Sequence, residues 1–509
     1  MRRIFNVLVS KPFSIMVMIL AELGFLYYIV YTFSVRFLTM YNFLVFLSLV
    51  IVVYLINRND NPSYKLSWAI FILALPLFGG LTYLMFGGKK VPKALRTGVN
   101  TLGKNGNPIL IQDERILREA IAAEPMFERQ VNYILKNAFM PIYENTEMEY
   151  YKLGEEMFTS LKNELEKAEK FIFMEYFIIN EGIMWSTIQE ILVRKVNEGV
   201  DVRLLYDDGG SMRLPYGFHK EMRKLGIKCY VFNPFSPILA IQMNNRDHRK
   251  ICVIDGKTGF VSGINLADEY VNLKVRFGHW KDSAILLRGE AVFSLTVMFL
   301  QFYNYVAKTN EDYFAYRADF SESTISVPGY VQPFGDSPTD DELVSETTHL
   351  NMINTARDYI YIMTPYLVVG HEMTQALITA AKSGIDVRIM VPHIPDKWYV
   401  FAVTRSSYEE LTKYGVKIYE YEPGFLHSKV MIIDDKAAII GTSNLDYRSY
   451  YLHFECGVLI VDHPMLTSVR DDFLDTVKKC IEVTYADCLK VNVFVRLGRM
   501  ILKLFSALL

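Results

Sequence analysis

Two stretches decide the fold: HRKICVIDGKTGFVSGIN (248–265) and HSKVMIIDDKAAIIGTSN (427–444). Each opens on His-x-Lys, runs on through apolar residues, turns at an acid and returns to an asparagine. In an extended strand, residues i and i+2 share a face. His248 therefore stands with Lys250, and His427 with Lys429. The turn falls at Asp255-Gly256 in the first copy and at Asp434-Asp435-Lys436 in the second. The returning strand brings Asn265 or Asn444 back beside its His-Lys pair.

The repetition extends outward. AEKFIFMEYF (168–177), EGVDVRLLYDD (198–208) and LGIKCYVF (225–232) precede the first hairpin. ARDYIYIMTPY (356–366), SGIDVRIMVP (383–392) and YGVKIYEY (414–421) precede the second in the same order. Between the β-branched and aromatic runs lie helix-period segments such as MWSTIQEILVRKVNEG and MTQALITAAKSG. This rhythm predicts an α/β fold with two tandem sandwich domains, each a parallel or mixed sheet covered by helices. So long a period means domain duplication, not a solenoid. The loop-like stretch SESTISVPGYVQPFGDSPTDDE separates the copies. The expected domains are 148–325 and 326–490, with 97–147 as a polar connector carrying a helix around Asp113–Phe139.

Both ends of the chain look towards a membrane. Of the 509 residues, 51% are hydrophobic and 22% charged, which excludes a disordered chain. Apolar stretches run from Phe13 to Phe33, Phe37 to Ile56 and Leu66 to Phe86, each about 20 residues, enough to cross a hydrocarbon core. Glu22 interrupts the first; Pro76, Gly79 and Gly80 interrupt the third. Two to three spanning helices are therefore expected in residues 1–96. That region carries Arg2, Arg3, Lys11, Arg36, Arg58, Lys65, Lys89, Lys90, Lys93 and Arg96 against only Glu22 and Asp60. The cationic exit Lys89-Lys90-Val91-Pro92-Lys93 puts the soluble part on the cytoplasmic side. The remainder is acidic overall, which argues against a nucleic-acid partner. In residues 491–509, Arg496, Arg499 and Lys503 form one basic stripe on an apolar helix. That pattern fits an interfacial helix on anionic lipid; a docked core helix with snorkelling cations is the alternative.

Paired His and Lys, present twice, suit a phosphodiester. Lysines and asparagines can hold the non-bridging oxygens as charge builds on them. One imidazole attacks phosphorus while the other protonates the departing oxygen. A metal site is disfavoured, because the lysine at i+2 would repel a cation. Cys229, Cys252, Cys456, Cys480 and Cys488 form no CxxC pair, so a cysteine zinc site is not expected either. The candidate catalytic set is His248, Lys250, Asp255, His427, Lys429 and Asp434, although the turn position of the two aspartates favours a structural role. Asn265, Asn444 and Ser443 are the candidate phosphate contacts, with Thr442 a further hydroxyl. The first copy reads Ser262-Gly263, so it has no hydroxyl at 263.

These motifs resemble the phospholipase D superfamily. Within it, NPSYKLSWAIFILALPLFGGLTYLMFG (61–87), MEYFIINEGIMW, YDDGGS, DHRKICVIDGKTGFVSGINLADEY and FLHSKVMIIDDKAAIIGTSNLDYRSYYLHFE resemble the bacterial cardiolipin synthases. The resemblance runs from about residue 40 to the C-terminus. It implies two copies related by a pseudo-twofold axis around one active site, with no metal and no cofactor. It implies His248 as nucleophile and His427 as general acid and then base. It also implies a carboxylate downstream of each motif that orients an imidazole, at the positions of Asp282 and Glu455. His279 and His453 lie close to these acids and could line the pocket. Tyr176, Phe177, Tyr366, Tyr447 and Tyr450 could line a lipid cleft, with core packing the default. The implied reaction transfers a phosphatidyl group between two phosphatidylglycerol molecules, giving cardiolipin and glycerol, at a bacterial plasma membrane that the chain crosses more than once. The alternatives are a phospholipase D-type hydrolase, transfer with another donor or acceptor, and a non-catalytic membrane scaffold.

Overall fold

The computed structural model describes residues 20, 23–28, 37–76, 78–87, 109–234, 245–321 and 324–508. They fall into two compact units, one with the amino-terminal helices and one with two large β-sheets.

In the first unit, α1 (Phe37–Ile56) has the bounds of the second apolar stretch. The third stretch is broken into α2 (Pro62–Ala74) and α3 (Gly79–Phe86). Asn61 caps α2 by accepting from the Ser63 N–H at 2.9 Å, with Pro62 in the first turn where its missing N–H costs nothing. Pro76 cannot continue the helix, and Ser48 of α1 donates to its freed carbonyl at 2.9 Å. Among the described residues no helix is long and apolar enough to cross a membrane, so the expected spanning helices are not shown. Most of the first apolar stretch, and the cationic exit at 89–93, lie outside the described residues.

In the second unit, the first half supplies β1 (Glu147–Tyr151), β2 (Phe171–Tyr176), β3 (Asp201–Asp207), β4 (Lys228–Phe232), β5 (Arg246–Asp247), β6 (Lys250–Ile254), β7 (Thr258–Ser262), β8 (His279–Lys281) and β9 (Ala284–Arg288). The second half supplies β10 (Tyr330–Asp336), β11 (Tyr359–Met363), β12 (Leu367–Val368), β13 (Asp386–Pro392), β14 (Lys417–Tyr421), β15 (Gly424–Leu426), β16 (Val430–Ile433), β17 (Ala437–Gly441), β18 (Leu445–Asp446), β19 (His453–Val461) and β20 (Cys480–Val483). The sheet orders are β1-β9-β7-β6-β2-β3-β4 and β10-β19-β17-β16-β11-β13-β14-β20. Position by position they match, with β20 added at one edge. In both, the parallel pairs follow the hairpin's partner strand: β2-β3-β4 and β11-β13-β14.

Strands β2, β6, β7, β16 and β17 are buried along their whole length, as strands covered on both faces must be. Helix α4 (Val292–Ala307) packs on both halves. Its Phe299 stacks on Phe173 of β2 at 4.7 Å, and its Phe302 meets Phe454 of β19 at 4.5 Å. The stretch read as a polar connector is packed structure from residue 109 onward. Ile116, Leu117, Phe127, Val131 and Ile134 enter the core shared by the two halves. Asp113 caps the helix Glu114–Ala123, as its position suggests.

The hairpin turns correct one expectation. Asp255 and Asp434 have φ of 54° and 55°. The Asp255 carboxylate accepts from the N–H groups of Glu169, Lys170 and Phe171 at 2.7–2.8 Å. Asp434 does the same for Arg357, Asp358 and Tyr359 at 2.7–2.9 Å. Neither aspartate is catalytic in this geometry; each staples the turn to the start of the neighbouring strand. Asp255→Ala or Asp434→Ala should therefore lower stability in urea unfolding by about 2 kcal/mol, with turnover per folded molecule little changed. Full stability with abolished turnover would refute the structural role.

Candidate active site

Strands β5 and β15 deliver the two motif histidines, and each pairs with a strand of the opposite half. β5 runs parallel to β19, and β15 runs parallel to β8. As a result the His248 N–H donates to the Phe454 carbonyl at 2.9 Å, and the His427 N–H to the Lys281 carbonyl at 2.6 Å. The side chains cross in the same way. His248 Nδ1 lies 3.0 Å from both oxygens of Glu455, and His427 Nδ1 lies 2.6 Å from Asp282 Oδ2. Each imidazole is thus held by the carboxylate of the other half, with Nε2 left for chemistry.

The two carboxylates are themselves fixed, by different means. Thr442 donates its hydroxyl to Glu455 and accepts from the Cys456 N–H at 3.0 Å. Gly263 occupies the matching place in the first half. A Cβ there would lie 2.1 Å from Asp282 Oδ1. The missing hydroxyl of the first copy is explained by this close approach, because the shorter acid sits where a side chain would be. The Ser283 N–H donates to the same oxygen at 2.9 Å.

Both lysines are buried and fold back onto the carbonyl of their own histidine, Lys250 on His248 and Lys429 on His427. Lys429 Nζ is also 2.9 Å from His427 Nδ1. Phe177 meets the His248 ring edge-on at 4.9 Å. Tyr270, Trp280 and Phe425 surround His427 at 5.5, 5.3 and 5.8 Å.

Burial dominates the electrostatics. It holds His248 well below the usual imidazole range, with Lys250 adding to the effect against the pull of Glu455. Burial and then Lys429 push His427 down to about 4. Burial thus opposes the charged form of both imidazoles in the empty site. Burial also brings Lys250 down to about 8 and Lys429 to about 7. Against its own burial, Asp282 is held below the carboxylate range by His427 and Lys429. Glu455 is held well below it by His248.

The proposed phosphate contacts lie at the site but are tied locally. Asn265 Oδ1 accepts from the Ile178 N–H at 2.9 Å, and Asn444 Nδ2 donates to Asp446 at 3.2 Å. The Ser443 hydroxyl turns away to Ser345 at 2.9 Å, so it is not offered to a phosphate. Of the candidate cleft aromatics, Phe177 reaches a catalytic imidazole, whereas Tyr176 is core and the Tyr450 hydroxyl bonds His349 at 3.0 Å.

His248, His453 and Glu455 bring three ligand-type atoms within 4.8 Å of one another, a cluster that the linear spacing hides. Lys250 stands in the same field, which disfavours a cation there. Two supporting long-range ion pairs were also not legible. Arg249, which meets its near neighbour Asp247 at 3.1 Å, also pairs with Glu175, and Lys281 meets Asp472 at 2.8 Å. Glu175 and Asp472 lie 74 and 191 residues from their partners, and both pairs are buried beside residues of the site.

Comparison with known proteins agrees with this architecture. A family model described as cardiolipin synthase, phospholipase D-like domain, matches residues 161–277 and 349–477. One described as phospholipase D-nuclease N-terminal matches residues 45–88. An uncharacterized protein of Streptococcus mutans is 41% identical over 464 residues, covering 90% of this chain and 99% of that one. Cardiolipin synthase 2 of Bacillus cereus is 38% identical, covering 84% and 83%. Cardiolipin synthase of Geobacillus kaustophilus is 35% identical, covering 89% and 90%. Among solved structures, phosphatidylserine synthase of Haemophilus influenzae superposes with a TM-score of 0.58 at 16% identity, over 75% of this chain and 97% of that one. At that identity the likeness concerns the fold.

Two expectations follow from the geometry. Gly263→Ala should displace Asp282 from His427 and reduce kcat by about 10- to 100-fold, while the melting transition persists; wild-type kcat would show that the contact is tolerated. The pH profile of kcat/KM reports the free enzyme. A lysine with a lowered pKa loses its charge as pH rises through that value, so kcat/KM should fall above pH 7–8, where Lys429 and then Lys250 become neutral. A profile flat to pH 10 would contradict this assignment.

Proposed function

The chain belongs to the cardiolipin synthase family of phospholipase D-like proteins, and from that premise we propose that it transfers a phosphatidyl group from one phosphatidylglycerol to another, giving cardiolipin and glycerol. The observation that carries the chemistry is the crossed pair of imidazole–carboxylate contacts, which leaves two Nε2 atoms for one phosphodiester.

His248 Nε2 attacks phosphorus, the bond from phosphorus to the glycerol headgroup oxygen breaks, and His427 supplies the proton that the leaving oxygen needs. The phosphatidyl group then resides on His248. A hydroxyl of the second phosphatidylglycerol gives its proton to His427 and attacks, and the phosphorus–nitrogen bond breaks. The 2.6 Å contact with Asp282 favours a protonated His427, and the bound phosphate anion opposes the burial that disfavours its charge in the empty site. Lys250 and Lys429 are placed to hold the non-bridging oxygens, and the anion stabilises their charged forms in the same way. Asn265 and Asn444 are proposed to complete that cradle through small side-chain shifts. No step requires a metal, cofactor or nucleotide.

We propose that the protein works at the membrane that holds its substrates, with the amino-terminal helices as anchor and the catalytic unit on the cytoplasmic side. The carboxy-terminal helix supports membrane contact in a way the sequence did not suggest. Arg496 lies 2.6 Å from Glu409, and Lys503 lies 3.7 Å from Glu410. Two of the three cations of the basic stripe, Arg496 and Lys503, are thus paired with protein, while Phe494, Leu497, Met500 and Ile501 are exposed.

Purified full-length protein in liposomes whose only reactive lipid is phosphatidylglycerol should give cardiolipin and glycerol in equal amounts by mass spectrometry. His248→Ala and His427→Ala should each abolish both products, and a chelator should leave the rate unchanged. Phosphatidic acid with glycerol would instead establish a hydrolase, and strong loss with a chelator would turn the His248–His453–Glu455 cluster into a metal site.

A further inference from the structure

Two of the three rings that pack on His427 stand at the ends of one exposed loop. Tyr270 and Trp280 both pack on His427. Between them, Leu273 is 49% exposed and Val275 79% exposed, with Lys274 and Arg276 also at the surface. Apolar side chains this exposed, within a few residues of two rings that pack on His427, are not explained by packing. A second loop meets the first. A Cβ on Gly278 would lie 3.2 Å from Ile394 Cδ1, and Ile394 leads through Asp396 and Lys397 to Trp398, which is 72% exposed. Asp396 is pinned by the Tyr366 hydroxyl at 2.6 Å. Arg276 pairs with Glu269 at 2.9 Å, and Lys397 stands 3.6 Å from Asp396. Both cations stay at the surface beside the apolar tips.

Trp398 opens helix α5 (Trp398–Lys413). Glu409, eleven residues on, falls about 20° away around the helix axis and roughly 16 Å along it. Trp398 and Glu409 therefore share one face of α5. Glu409 holds Arg496 of α6 (Val493–Leu504), whose apolar side chains are exposed. Both exposed apolar sets are thus tied to the same side of α5, one at each end.

We infer that the loops 271–278 and 393–398 form a lip that inserts into the interfacial layer of a phospholipid bilayer and delivers lipid headgroups to His427. The pattern is apolar tips, a tryptophan and flanking cations, which suits an anionic phospholipid surface better than a protein partner. The lip is continuous with the site through Tyr270 and Trp280. The inference rests on the lipid-substrate reading for its purpose, but its fluorescence test does not depend on turnover.

The chain has four tryptophans. Trp68, Trp185 and Trp280 are buried and Trp398 is exposed. The difference between wild-type fluorescence and that of Trp398→Phe therefore isolates the lip. Full-length protein in vesicles of phosphatidylglycerol and brominated phosphatidylcholine should show quenching of the Trp398 component and its protection from aqueous iodide. Leu273→Ser with Val275→Ser should raise the apparent KM for vesicle-borne phosphatidylglycerol about tenfold and leave activity on a monomeric short-chain analogue unchanged. The inference is overturned if the Trp398 component stays open to iodide on vesicles. Protection that depends on protein concentration without vesicles would overturn it too, because a second copy would then be the occupant. Vesicle quenching without any cardiolipin formed would leave the lip standing and sink the transferase reading alone.

Discussion

Each catalytic imidazole is gripped at Nδ1 by a carboxylate from the other half of the chain, and much of the structure serves that exchange. Strand β5 must reach β19 and strand β15 must reach β8, or the acids arrive beside the wrong ring. Neither half is a complete site, since His248 without Glu455, or His427 without Asp282, has no fixed tautomer. The shared core and α4 follow from the same need. Buried ionised acids are tolerable only when every partner is in place, so the halves must be locked together rather than linked. The contacts of Phe299 and Phe302 with opposite halves do that.

Duplication supplies the symmetry, and the chemistry uses small departures from it. The second half has a glutamate with a threonine behind it; the first has an aspartate with a glycine behind it. One methylene more in the acid is matched by a side chain to receive it, and one fewer by the space left when the side chain is removed. Both solutions place a carboxylate oxygen at an imidazole nitrogen, at 3.0 and 2.6 Å. The shorter contact lies at His427, the ring that must hold a proton in the proposed sequence. Burial lowers both Lys250 and Lys429, so each half offers a lysine whose charge a bound anion would stabilise.

Much of this was legible in the sequence for physical reasons. Alternating β-branched runs and helix-period segments fix strand and helix types, and the repeated order fixes the duplication. His-x-Lys in a strand fixes the shared face. Asp282 and Glu455 came from the family resemblance as orienting acids, and the crossing came from neither sequence nor resemblance, because pairing between β5 and β19 joins residues some two hundred positions apart. Asp255 and Asp434 lie within the motif and yet bind backbone; their turn position pointed that way, but which N–H groups they hold was not legible. The basic stripe of the last helix was visible; its pairing with Glu409 and Glu410 was not. The break in the third apolar stretch was legible as well: Pro76, Gly79 and Gly80 interrupt it, and two helices form there.

The environment of the two histidines also bears on the choice between transfer and hydrolysis. Exchange of one phosphodiester for another has little driving force, whereas hydrolysis runs downhill, so the outcome depends on which acceptor reaches the covalent intermediate. In the proposed sequence His427 takes the proton of that acceptor, and three aromatic rings pack around this imidazole. A ring-lined wall offers a water molecule few hydrogen-bond partners and offers a lipid's glycerol backbone ordinary packing. Around His248 the ring neighbours are only Phe177 and His453, while each histidine has its own motif lysine folded onto its carbonyl. The donor phosphate and the acceptor hydroxyl thus meet different surroundings across a nearly symmetric site. That difference favours the second lipid over water without any additional catalytic group.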